Sequence, residues 1–271
     1  GIEIISEDEA IGLRGSHVVL QDVDLDMVRR AVREFQVIPE WDILAIAVFD
    51  HGDAPPKYSD RKFRFDYLRQ HLLDGRNNVM SFVHLSNEVP YYLTRMLAVV
   101  ETVAGQTPLL LTDTAQAAIL GSLEDAHVMD QQCKVVVNLG NEHTLAYHLH
   151  GDTILGMFEH HTHMLSKERL EGHLRCLADG TLDGDQIWSE QGHGGIVVDG
   201  GEDLGFVSVI GPMRGLLLGS SVGPYWAAPH GSMMLAGSFG LVRACAEKFP
   251  EHREQILKSL GTVGEGLRHS H

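Results

Sequence analysis

Seventeen histidines stand in a chain of 271 residues, and several of them sit in turns beside glycine or at the ends of apolar runs. His51 lies in Asp50-His51-Gly52-Asp53, His143 in Asn141-Glu142-His143-Thr144 and His160 and His161 in Phe158-Glu159-His160-His161. His193 lies in Gly192-His193-Gly194 and His230 in Pro229-His230-Gly231. An imidazole in such a turn can act as a general base, bind an anion or ligate a metal. A glycine beside it lets a ligand approach the backbone closely. Each of these histidines also has a plainer use, capping a turn and satisfying loop carbonyls. A transition-metal site is one reading, with His160 and His161 as ligands beside Glu159 and His163, and a wider metal site would draw on His51, His143, His160, His161 and His230. Strand alternation sends His160 and His161 to opposite faces, and no HExxH helical pair is present.

A phosphate cradle is the other reading. Residues 138–144 run strand, tight polar turn, strand, and Asn138, Gly140, Asn141, His143 and Thr144 bring backbone N–H groups that can hold anionic oxygens. An ordinary hairpin turn uses the same residue types. Gly237, Ser238 and Gly240 form a second glycine-rich stretch, where glycine can equally permit close helix packing. Asp50 and Asp113 each close an apolar run, a position from which a carboxylate can hold Mg²⁺ or act as a base. For Asp113 the plain alternative is a helix N-cap. The chain has no GxSxG, so covalent acyl chemistry is not supported.

The elements that must position these residues read as α/β. Residues 1–9 and 17–20 suggest short strands. Asp24 caps a helix with Leu25, Val28, Val32 and Phe35 on one face, ended by Pro39. The run 42–49 (DILAIAVF) predicts a strand buried on both faces. Helices are predicted over 60–73, 91–103 and 115–123, with a strand at 108–111. Strands at 135–137, 144–150 and 153–159 make an antiparallel meander. A helix follows Ser166, a strand pair lies at 195–199 and 206–210, and a closing helix spans 233–248. Two α/β lobes result, 1–125 and 126–271.

The formal net charge of −16 opposes nucleic acid or an anionic membrane as a partner. No stretch reaches the roughly 20 apolar residues of a membrane span. Three widely spaced cysteines, Cys133, Cys176 and Cys245, fit a reducing, cytoplasmic setting and not the closely spaced cysteines of an iron–sulfur motif, so no such cluster is expected. The chain starts at Gly1, which suggests a missing N-terminal segment.

The stretches DHGDAPPKYSDRKFRF (50–65), LTRMLAV (93–99), VVVNLGNEHTLAYHL (135–149), GMFEHHT (156–162) and APHGSMMLAGSFGL (228–241) resemble a prokaryotic family that carries the label pyruvate formate-lyase activating enzyme and is grouped with the actin-like ATPase superfamily. The resemblance implies two ribonuclease H-like lobes facing a nucleotide cleft, the first lobe incomplete because its first phosphate loop is missing. Asn138, Gly140, Asn141, His143 and Thr144 would form the second phosphate loop, residues 113–120 the crossover helix, and Gly237, Ser238 and Gly240 would lie near adenosine. The residues themselves make Asp113, His143, Asp50 and His51 the candidate catalytic set; the nucleotide reading adds ATP and Mg²⁺ as cofactors and a phosphorylated small molecule or nucleotide as ligand, and the superfamily does not account for the His-rich turns. Asn138 stands where active kinases have Asp, which removes a charge from the metal shell. A metal-dependent enzyme and a binding module without turnover are the alternatives. The radical activity in the label needs three close cysteines, which this chain lacks.

Overall fold

The structure is a computed structural model and describes residues 5–13, 21–103, 105, 107–201 and 203–261. The strand expected at 17–20, the first part of that expected at 1–9 and the histidines of the C-terminal tail lie outside these residues. Helix α1 (Glu7–Ile11) replaces the rest of the opening strand, because Ser6 and Glu9 form a capping box. Helix α2 (Leu25–Glu34) starts on Asp24, whose carboxylate accepts from the Met27 N–H at 2.8 Å. It stops at Phe35, before Pro39, where Gln36 turns to φ 61°.

The first half holds a three-stranded sheet. Strand β1 (Leu44–Ala47) leads to α3 (Asp60–Leu73), β2 (His84–Leu85), α4 (Thr94–Val103), β3 (Leu109–Thr112) and α5 (Thr114–Ser122). The strand order is β1-β3-β2, with β1 parallel and β2 antiparallel to β3. β3 is buried along its whole length. β1 is only half-buried, against the expectation, because it lies at the sheet edge.

Helix α6 (Ala126–Met129) precedes the larger sheet, built by β4 (Cys133–Leu139), β5 (His143–His150) and β6 (Thr153–His161). These three form the expected meander. Then come α7 (Lys167–Asp179), α8 (Gly184–Ser189), β7 (Gly194–Val197), β8 (Phe206–Ile210), β9 (Tyr225–Trp226), α9 (Ala236–Lys248) and α10 (Arg253–Ser259). The strand order is β7-β6-β5-β4-β8-β9. β7 and β8 are thus not a pair: β7 adds to β6 antiparallel, whereas β8 lies parallel to β4 on the other side. A bulge opens between β5 and β6, where Leu149 pairs with Ile154 but His148 pairs with Gly156.

Each face of this sheet is covered. Val136, Leu145, Tyr147, Met157 and Ile210 pack with Phe65 and Leu110 of the first half and with Ala244 of α9 in one core. Val135, Val137, Phe158 and Val209 pack with Leu170, Leu174 and Leu177 of α7 in another. Helices α5 and α9 cross at backbone contact: a Cβ on Gly240 would lie 2.0 Å from the Ala117 carbonyl oxygen, and one on Gly121 1.7 Å from that of Ala236.

Candidate functional site

The pleat of β6 decides what faces the first half. Glu159 and His161 project to the side of the shared core, and His160, between them, projects to the side of α7. β5 places His143 directly opposite His161. The chain enters β7 through His193, whose N–H donates to the Glu159 carbonyl at 2.9 Å. From the first half, β1 runs through Phe49 and Asp50 to His51. The turn after it needs glycine, since Gly52 has φ 79° and its missing Cβ leaves space 2.9 Å from the Phe63 ring.

Four imidazoles converge where the halves meet. Ring centroids lie 5.3 Å apart for His51 and His143, 5.5 Å for His51 and His193, 4.6 Å for His143 and His193, and 4.8 Å for His161 and His193. One ring nitrogen from each of His51, His143 and His193 lies within 4.8 Å of the other two. His51 Nε2, His143 Nδ1 and both His193 ring nitrogens are buried without a hydrogen-bond partner. Burial, helped by the Arg64 charge, pushes His51 below its usual range; burial takes His143 down to about 4 and His193 lower still. These imidazoles are neutral at pH 7, the form in which a ring nitrogen can ligate.

Behind them lies an ion pair. Arg64 of α3 is 2 % exposed and Glu159 0 %. Arg64 Nε donates to both carboxylate oxygens at 2.9 and 2.8 Å, and Nη1 donates to the Asp50 carbonyl at 2.7 Å. Glu159 stands 3.4 Å from His143 Nδ1 and 4.0 Å from His193 Nδ1. Neither contact is a hydrogen bond, so Glu159 acts on the two imidazoles through its negative charge. A cleft of about 500 Å³, lined by Lys62, Arg69, Asp183, Trp188 and His193 among others, opens beside His193.

His51, His143 and His161 thus meet in one place. His160 turns away, and His230 sits elsewhere, 3.8 Å from Glu124 and against the Phe239 ring. Asp50 is buried and its carboxylate accepts from the Gly52 and Met96 N–H groups, both at 2.9 Å, so it braces the start of α4. Asp113 caps α5 through the Ala115 N–H at 2.8 Å and lies 3.3 Å from Arg64. In the turn 138–144, the Gly140 N–H donates to the His143 carbonyl at 3.0 Å, and the Thr144 and Thr162 hydroxyls bond each other at 3.0 Å. Asn138 is buried on β4 opposite Ile210, and Asn141 is exposed. Gly237, Ser238 and Gly240 fall inside α9, and Gly240 is spent on the contact with α5.

Sequence reasoning did not single out Arg64 and did not give His193 a place among the metal ligands. A local signal existed for Arg64: it shares the buried face of α3 with Phe65, Leu68 and Leu72, and an arginine there must find a partner.

A family model described as "Putative pyruvate format-lyase activating enzyme (DUF1786)" matches residues 1–216. The chain belongs to this family. A search of curated proteins gives no match. The family's description implies an iron–sulfur cluster, and the cysteines do not fit one. Cys133 opens β4 with Sγ 3.3 Å from His148 Nε2, Cys176 lies in α7 and Cys245 in α9. Burial pushes the Cys245 thiol up to about 11, away from the thiolate that ligation needs.

Proposed function

We propose that this family member is a metal-dependent enzyme that holds a divalent transition metal on His51, His143 and His193. One observation carries the reading: three neutral imidazoles with unpartnered nitrogens point into a common space within 4.8 Å of one another, drawn from β1, β5 and β7 ends that are far apart in sequence. Leaving such nitrogens buried and unbonded is costly, and a cation would satisfy all three at once. Three imidazoles with an open coordination position give a Lewis acid that polarises a bound oxygen. Glu159, held by Arg64, places a negative charge beside His143 and His193 that favours a cation there. His161, less buried than these and 4.9 Å from His143 by ring centroid, is the nearby imidazole left to take up a proton. The reading is tested by elemental analysis and Zn²⁺ titration of tag-free protein. It expects binding at this site that His143→Ala and His51→Ala each abolish; binding unchanged in both variants refutes it.

A second reading, nucleotide binding on an actin-like fold, draws support from the larger sheet. In its order β7-β6-β5-β4-β8-β9 an antiparallel meander is continued by the parallel strands β8 and β9, a mixed α/β lobe of the class the resemblance implies. The turn 138–144 argues less for it, because the Gly140 N–H and the Thr144 hydroxyl are engaged within the protein. Titration with Mg-ATP separates the readings: heat that survives removal of transition metal favours this one, and its absence removes it.

A further inference from the structure

The opposite face of β6 carries a second set of metal-ligating groups. His160 is fully buried there, beside His173 of α7 and Glu190 at the end of α8. One ligand atom from each lies within 4.8 Å of the other two. The chemistry of His160 is set by its neighbour. Its Nδ1 lies 3.0 Å from the His161 carbonyl oxygen. A carbonyl can only accept, so Nδ1 carries the proton and Nε2 keeps a bare lone pair. That Nε2 is buried with no partner. His173 Nε2 stands 3.0 Å from Glu190 Oε2, and Glu190 also takes Arg169 at 3.3 Å and Gln186 at 2.9 Å. Gly192 keeps the space open: a Cβ there would lie 2.7 Å from His160 Cδ2, the atom next to Nε2, and 2.6 Å from Ile187.

We propose that His160, His173 and Glu190 form a second site for a divalent transition metal, back to back with the one between the halves. Two imidazoles and a carboxylate suit zinc or a neighbouring ion of its class. The ion joins α7 and the end of α8 to β6. Glu190 and His193 are separated only by Gln191, at φ 72°, and Gly192. A cation on Glu190 therefore fixes the short connection that delivers His193 to the other site. The proposal does not depend on the other site being filled.

The experiment is Zn²⁺ titration of chelator-treated, tag-free full chain, followed by isothermal calorimetry and checked by elemental analysis. The wild type is expected to bind two equivalents, Glu190→Ala and Gly192→Ala one each, and His143→Ala one. If the first site fails and this one holds, the wild type binds a single equivalent that Glu190→Ala removes and His143→Ala keeps. A wild type whose zinc content is the same in Glu190→Ala, or one that binds no zinc, overturns the proposal. Glu190 is partly exposed and its carboxylate bonds only to side chains, while its backbone N–H bond to the Gln186 carbonyl is kept in the alanine variant, so the variant folds; far-UV circular dichroism verifies this before the titration.

Discussion

Replacing Glu159 with Met leaves Arg64 with its charge in the core. The 2.8 Å contact places the charge centres roughly 4 Å apart, where attraction at an effective dielectric constant of about 20 amounts to about 4 kcal/mol. Removing one partner of a buried pair costs about 3–5 kcal/mol, because the survivor stays desolvated. Here Asp113 remains 3.3 Å from Arg64 and offsets part of the loss, so the expected cost is about 3 kcal/mol. Urea unfolding of metal-free protein reads it as a fall in midpoint at unchanged slope. Replacing both, Arg64→Met with Glu159→Met, removes charge and partner together. The double variant is expected to lose clearly less than the sum of the singles. A single variant within about 1 kcal/mol of wild type, or a double variant equal to the sum, would refute the view that this pair is a mutually dependent unit. Glu159→Gln, which keeps the shape, is expected to weaken zinc at His143 and His193 by roughly 10–100-fold.

Gly240→Ala is expected to destabilise the protein by about 2 kcal/mol or more, since its Cβ meets backbone and forces α5 from α9. Gly237→Ala, one turn earlier with open space around it, should be neutral or stabilise by up to about 1 kcal/mol. Comparing urea midpoints of the two decides whether these glycines serve helix packing. Acid should unfold the metal-free protein early. Burial holds His71, His84 and His143 at about 4 in the fold, against about 6.5 unfolded. Each takes up a proton on unfolding, so stability is full above pH 6.5 and is lost as pH falls toward 4. The slope is at most about 1.4 kcal/mol per pH unit for each, and solvent screening makes the share of half-buried His71 and His84 smaller. Stability flat between pH 7 and 5 would contradict this.

Local pattern was enough for many of the elements and for part of the site, though α1 forms where a strand was expected and short elements such as β2 and α8 had no clear signal. Helix α3 runs over the 60–73 expected, and the meander follows the apolar alternation of 135–159. The opposite facing of His160 and His161 also follows from the strand period, and the structure gives each its own set of partners. What local pattern lacks is pairing across the chain. Arg64 and Glu159 are 95 residues apart, and nothing near either names the other. β7 and β8 read as a strand pair because they are close in sequence, yet the meander takes one edge of β4 and leaves the other to β8. His230 shares the His-Gly motif of His51 but follows β9 at the far edge of the sheet, so motif likeness alone misplaced it. His173 and Glu190 sit in helical contexts with no glycine signature.

The bulge at Leu155 and Gly156 has an outcome for the whole arrangement. It takes up one surplus residue, so that Ile154 and Met157 lie on the same side of the sheet despite their odd separation. Run straight through, the ladder would invert the phase of everything after it: Glu159 would be thrust among the leucines of α7 and His160 against the arginine. Excising Leu155 should therefore be gentler than it looks, because a regular ladder from Ile154 to a shortened Gly156-Met157 keeps both faces in step. An insertion beside it would scramble both groups of histidines in one stroke.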